Sequence, residues 1–350
     1  MNHRLLFCML LALFVGSALH AQDRQFSQFY TAPMYLNPAL TGAFPGKYRI
    51  GLIYRDEWLS AVDGPSAAFA ANMDLRFPIK YRSQAAQDAV GAGVLFFGDR
   101  NPYSLNSNYL AISGAFHKSL SRYNTSFLSA GFQLGLGQRS VGYQDILFDD
   151  QFNGTTGFTD PTGEALPENN LTYFDIGAGL HYAYYQPEGI GLFAGLSMFH
   201  INQPRLSFFF DSEEEIPISE DEILLRTVAH LGLQIPLGKR TQLLPRAVFM
   251  LQGPHMTLNA GTNFRYLVND LNGLALHLGG WARPVRNLDN IGLDAVIGMV
   301  GVEFQNFLLG MSYDFPMNDL LSENQGAGAF EISFAFLGNY DNETVLCPTF

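Results

Sequence analysis

Cysteine is almost missing from this chain: the sequence carries two, Cys8 and Cys347. Cys8 lies within an apolar N-terminal run, so removal of that run leaves a single thiol and no internal disulfide. No small-residue lipoprotein motif precedes Cys8, which argues against a lipid anchor there. Charge is sparse too, at 15% of residues, and basic residues are the scarcer kind: 20 Lys and Arg against 32 Asp and Glu, a net charge of -12. A nucleic-acid partner, which calls for a basic face to neutralise phosphate, is disfavoured. After the N-terminus no apolar stretch reaches the roughly 20 residues of a spanning helix, because charged residues, Gly and Pro interrupt each one. Signatures of catalysis are also missing: there is no HExxH, GxSxG, P-loop, paired CxxC or complete EF-hand loop. The chain is therefore expected to be noncatalytic, without a cofactor or metal.

What is present starts with an export signal over residues 1–21. His3 and Arg4 are followed by the apolar run Leu5 to Gly16 and by Leu19-His20-Ala21, so cleavage after Ala21 would leave Gln22 first. The remaining sequence is rich in Gly (35), Tyr (16) and aromatics overall (14%). From about residue 47 it divides into segments whose alternate positions are apolar. Phe174, Ile176, Ala178, Leu180, Tyr182 and Tyr184 oppose Tyr173, Asp175, Gly177, Gly179 and His181. Leu128, Ala130, Phe132, Leu134 and Leu136 likewise oppose Ser129, Gly131, Gln133, Gly135 and Gly137. A period of two means strands with different environments on their faces. A soluble sandwich shares that pattern, but the export signal, the strand lengths and the aromatic strand ends favour a transmembrane antiparallel β-barrel.

Strands are expected to begin near Lys47, Pro65, Val90, Leu105, Thr125, Leu171, Ile190, Ile223, Thr241, Met256, Gly273, Ile291, Asn306 and Gly326, about fourteen in all. The inward set then includes Asp175, Arg226, His230, Arg265, Asp294 and Asp314, hydrated or paired within the lumen. Strand parity places the long connections 139–170 and 202–222 outside, the second carrying the acidic run Asp211 to Glu215. That run has no calcium-loop spacing and reads as a solvated loop. His117, His181, His230 and His277 fall on separate strands and read as packing residues. The expected organisation is a signal at 1–21, a periplasmic or plug segment at 22–46, a barrel at 47–338 and a tail at 339–350.

Two blocks of residues carry a resemblance. The first is Gln25-Phe26-Ser27-Gln28, Asn37-Pro38-Ala39, Thr41-Gly42, then Tyr54-Arg55 and Trp58; the second is Trp281 with Arg283, Asp294, Gly310-Met311-Ser312-Tyr313-Asp314 and Glu331-Ile332. In order and spacing they resemble the PorP/SprF family of outer-membrane proteins of the type IX secretion system of Bacteroidetes. The ending Cys347-Pro348-Thr349-Phe350 is similar to that of many members, whereas Ala329-Phe330 stands where many have Ser-His.

The resemblance implies a role in secretion or surface attachment of proteins with type B C-terminal sorting domains, including gliding adhesins in motile species. It also implies the outer membrane as location, with its lipid as surroundings, and contact with the secretion ring or peptidoglycan-associated components. An uptake channel or porin, whose polar parity would line a pore, is the alternative reading. A membrane-embedded hydrolase fits less well, for want of a catalytic set.

Overall fold

The alternating pattern is realised as an antiparallel sheet that closes on itself. In the computed structural model, residues 23–57, 66–79, 87–101, 105–186, 189–206, 208, 222–287, 290–317 and 328–338 are described. Among them run fourteen strands: β1 (Tyr48–Glu57), β2 (Ser66–Ile79), β3 (Asp88–Arg100), β4 (Leu105–Ser119), β5 (Ser126–Val141), β6 (Asn170–Tyr184), β7 (Gly191–Phe199), β8 (Arg226–Pro236), β9 (Thr241–Gln252), β10 (His255–Asn269), β11 (Leu274–Asn287), β12 (Asn290–Phe304), β13 (Phe307–Pro316) and β14 (Ala329–Gly338). Each pairs with its sequence neighbours, and β1 meets β14 in a continuous seam from Tyr48↔Gly338 to Glu57↔Ala329. Closure leaves no edge whose backbone groups would face hydrocarbon unpaired. Among the described residues no helix is long and apolar enough to cross a membrane.

Side-chain parity follows the sequence. On β11, Leu278 is 65% exposed while its neighbour His277 is 7% exposed. Leu110, Ile112 and Phe116 of β4 are likewise exposed, and His117 is buried. Such an apolar exterior suits lipid. Two register shifts interrupt the wall among the described residues, the first between Leu267 and Asn269 where β10 meets β11. The pairing of β11 with β12 shifts between Arg283 and Pro284, leaving Asp294 as the extra residue of a bulge.

The ends of β5 and β7 and the starts of β6 and β8, which flank the long connections 142–169 and 200–225, lie at one end, together with the end of β1 and the start of β14. The turns 237–240, 270–273 and 305–306 lie at the other, with the start of β1 and the end of β14. Outer-membrane barrels direct long loops outward and short turns to the periplasm. The acidic run at 211–215, Trp58, the signal region and the tail with Cys347 fall outside the described residues.

Residues 23–46 fill the lumen along most of its length, with no confinement to the short-turn rim. They comprise a 3-10 turn (Phe29–Thr31), a one-turn helix α1 (Pro33–Leu36) and a second 3-10 turn (Pro38–Leu40). Pro33 and Pro38 each open a turn, where the missing N–H goes unused. Asn37 caps the last turn by accepting from the Ala39 N–H at 2.8 Å. Pieces this short are unstable alone, so the wall must hold them. Phe29 and Leu36 pack on Phe199, Val228, Val248 and Trp281. Phe26 and Ala32 pack on Ile53, Ala68 and Phe97, and Met34 on Leu95 and Ala111. The hydrophobic core is this contact between segment and barrel.

Candidate functional site

Four polar anchors tie the inner segment to the wall, and the largest lies toward the long-loop end. There Ser27 and Gln28 donate their backbone N–H groups to the two oxygens of Glu331, at 2.7 and 2.9 Å. The Ser27 hydroxyl reaches both oxygens of Asp314, at 2.7 and 2.8 Å. Arg55 spans the two carboxylates, 2.6 Å from Glu331 and 2.8 Å from Asp314, and Arg283 lies 2.9 Å from Asp314 and also contacts the Ser27 hydroxyl. Two guanidinium groups thus balance two carboxylates, all four buried. Gln28 completes the cluster by donating to Ser312 (3.1 Å) and accepting from Ser333 (2.7 Å). Arg24 adds contacts to Glu57, Asp99 and Ser66 at the same end.

The second anchor holds the first described residue. Asp23 pairs with Arg226 and His200, each at 2.8 Å, and His200 also meets Asp175 at 3.0 Å. Burial disfavours the His200 imidazolium, but the Asp23 and Asp175 carboxylates outweigh it and raise His200 from 6.5 to about 9. Burial also works against the Asp23 carboxylate, and His200 and Arg226 overcome it, holding Asp23 well below the usual carboxylate range. The Arg226 guanidinium lies over the rings of Tyr35 and Phe199, at 4.6 and 4.3 Å.

Midway, the Asn37 amide donates to the Leu180 and Leu196 carbonyls (3.0 and 3.3 Å) and touches His230 Nε2 (3.2 Å). Toward the short-turn end, Thr41 meets Ser113 (2.6 Å) and its carbonyl meets His117 Nε2 (2.8 Å). Gly42 N–H donates to Asp74 at 2.7 Å, and Asp74 is itself held by Arg49 at 2.7 Å. Inward glycines make these approaches possible. A Cβ on Gly91 would come within 2.0 Å of the Thr41 carbonyl oxygen, and one on Gly131 within 2.3 Å of the Ala39 nitrogen.

Most of the motif residues converge on these anchors. Ser27, Gln28, Arg55, Arg283, Ser312, Asp314 and Glu331 form the first, and Gly310 makes room there for the Gln28 side chain. Phe26 packs edge-on against Tyr35 and Phe97. Trp281 stands edge-on to Phe29, 5.5 Å between ring centres, and donates to Asn263. Asn37, Pro38 and Gly42 shape the lower half of the segment. Tyr54 and Tyr313 instead project outward, Asp294 reaches Arg283 only at 3.6 Å, and Gln25 leaves its buried carbonyl oxygen unpartnered.

The inward polar residues are claimed by specific partners: Arg265 by Glu303 at 2.7 Å, Asp175 by His200, Arg226 by Asp23 and His230 by Asn37. Asp23, Arg24, Asp74, Arg49 and His200 were not singled out by motif. For Arg49 and Asp74, inward parity on a strand was the available signal. Among the described residues no group of His, Cys, Asp and Glu is arranged to hold a metal.

A closed sheet with a lipid-suited exterior and a lumen occupied by its own N-terminal segment defines a plugged outer-membrane β-barrel. The family described as type IX secretion system membrane protein PorP/SprF matches residues 18–336, and the chain belongs to it. It is an outer-membrane component of that secretion system. No curated protein matches the sequence. Solved structures that it resembles include a Pseudomonas aeruginosa FadL homologue (11% identity, 92% of this chain and 95% of that one, TM-score 0.49). Two others are the Ralstonia pickettii toluene transporter TbuX (13%, 88% and 94%, 0.47) and the TodX monoaromatic hydrocarbon channel deltaS2 mutant (12%, 89% and 94%, 0.49).

Proposed function

We propose that this component is a noncatalytic scaffold for the secretion or surface attachment of proteins with type B C-terminal sorting domains, including gliding adhesins in motile species. The external loops meet the cargo, and the short-turn end meets the secretion ring or peptidoglycan-associated components. Family membership supplies the pathway. The observation that supports a scaffold over an uptake channel is the lumen itself, packed with residues 26–44 and anchored by buried ion pairs. A pore-lining parity would meet solute; this one meets polypeptide.

The test is deletion of the chain in its host, following a reporter fused to a type B sorting domain in culture medium and on the cell surface. Loss of secretion, or release of the reporter into the medium, supports the scaffold. Unchanged secretion and retention together with slower entry of small solutes would establish the channel instead.

A further inference from the structure

A cavity of about 130 Å³ lies between the inner segment and the wall toward the short-turn end. Tyr30, His181, His230, Gln234, Gln242 and Arg246 contribute its polar lining. Arg49 and Arg265 also border it, but their charges are met by Asp74 and Glu303. Arg246 differs. Among the described residues it has no carboxylate at ion-pair distance and no hydrogen-bond partner; its guanidinium lies over the face of Tyr30, 4.6 Å from the ring centre. Its cross-strand neighbours are Gly232, against which its stem lies, and Gly261, whose inward side is covered by Trp281.

Two further groups on the lining residues that can donate, the Tyr30 hydroxyl and His181 Nδ1, are buried without a partner. His181 and Gln234 are themselves more than nine-tenths buried. Arg246 is half-buried with an unmatched charge, and the two buried groups beside it are costly to leave unpaired; one partner of opposite charge would serve all three. Guanidinium forks suit carboxylate and phosphate oxygens. Burial pushes the Tyr30 phenol up to about 12, despite the nearby Arg246, so it remains a donor at neutral pH.

We propose that this pocket binds one small oxyanion, a carboxylate or phosphate group, held by Arg246 with Tyr30, His181 and the Gln234 amide as further donors. The group enters from the short-turn end, where Gln234 and Gln242 sit close to the ends of β8 and β9. Free phosphate and a glutamate side chain from a periplasmic peptide offer the same chemistry. The cavity admits either, though only one such group at a time.

The full mature protein, purified in nonionic detergent with chloride as the only buffer anion, is titrated with inorganic phosphate and with a short amidated peptide containing one glutamate. Thermal melting is followed throughout. A saturable rise in melting temperature is expected. Saturation by phosphate alone assigns a free ion, and tighter saturation by the peptide assigns a partner's carboxylate; both support the site. Arg246→Gln is expected to weaken the response at least about tenfold, while Arg246→Lys retains part of it and Lys239→Gln, in the 237–240 turn, leaves it unchanged. A wild-type protein that melts identically in all three solutions overturns the proposal, and this reading stands even if Arg246→Gln does not fold. An equal response in Arg246→Gln overturns it as well. Neither result bears on the secretion role.

Discussion

The backbone N–H of Ser27 donates to Glu331 Oε1 at 2.7 Å, joining residues 304 apart in sequence. Glu331 also receives Gln28 and Arg55, so this carboxylate binds the inner segment, β1 and β14 together. Breaking a buried pair strands the partner charge, at a cost of about 3–5 kcal/mol. Glu331→Gln is expected to lose that order of stability, measured by urea unfolding in detergent or vesicles. A loss below about 1 kcal/mol, the scale of an exposed pair, would show that the cluster does not hold the segment.

The glycine contacts give a paired prediction. Gly91→Ala places a methyl group 2.0 Å from the Thr41 carbonyl and should displace the segment, making residues 23–46 sensitive to limited proteolysis. Gly280→Ala, on the outward face with nothing within 4 Å, should leave the digestion pattern unchanged. Equal digestion of the two variants would contradict the close packing described above.

The Asp23 anchor should respond to pH in a defined direction. His200 is raised from 6.5 to about 9, so its contribution is complete below 6.5 and disappears as pH rises through 9. Asp23 is lowered, so its contribution is present above 3.8 and fades as pH falls toward its folded value. Protection of the Asp23 amide, which donates to Gln252 at 3.1 Å, taken relative to the intrinsic base-catalysed exchange at each pH, should be greatest between these limits and fall through the alkaline range. His200→Gln should remove the alkaline limb; a limb that persists would assign it to another group.

Asp23 and Arg24 lie at the long-loop end, beside Gln252, Glu57 and Asp99. An epitope inserted immediately before Asp23 should be reached by antibody on intact cells, while one in the 120–125 turn should require permeabilised cells. The opposite pattern would invert the orientation.

The strand frame was legible because lipid and lumen impose opposite demands on adjacent residues. Phe174 beside Asp175, or Ile332 beside Glu331, marks the two sides without any knowledge of neighbours. The expected strand starts accordingly agree with the observed ones to within about three residues. Parity likewise placed Asp175, Arg226, Arg265 and Asp314 inward. It could not name their partners, since Asp23 with Arg226 and Ser27 with Glu331 depend on three-dimensional closure. Residues 23–46 hid their conformation because turns of three or four residues are too short to display a period. Small inward residues such as Gly91 and Gly131 were visible as small; that polypeptide backbone fills the vacated space was not. Asp294 shows the opposite limit, because a bulge beside Pro284 resets parity locally and leaves it at the margin of the cluster whose motif it shares.

Residues 23–46 run through the cylinder from its external mouth to the opposite rim before the first strand begins. A finished ring could not readily be threaded by its own leading end, since the buried charges of that end would have to cross a passage already lined for them. Zipping of the first strand to the last must therefore happen around the leader, with Glu331 arriving on Ser27 as the seam shuts. Completion of the wall and filling of its interior are one late, nonlocal event, slow by the general penalty on distant contacts, and an intermediate lacking the final strand would keep both its seam and its interior open.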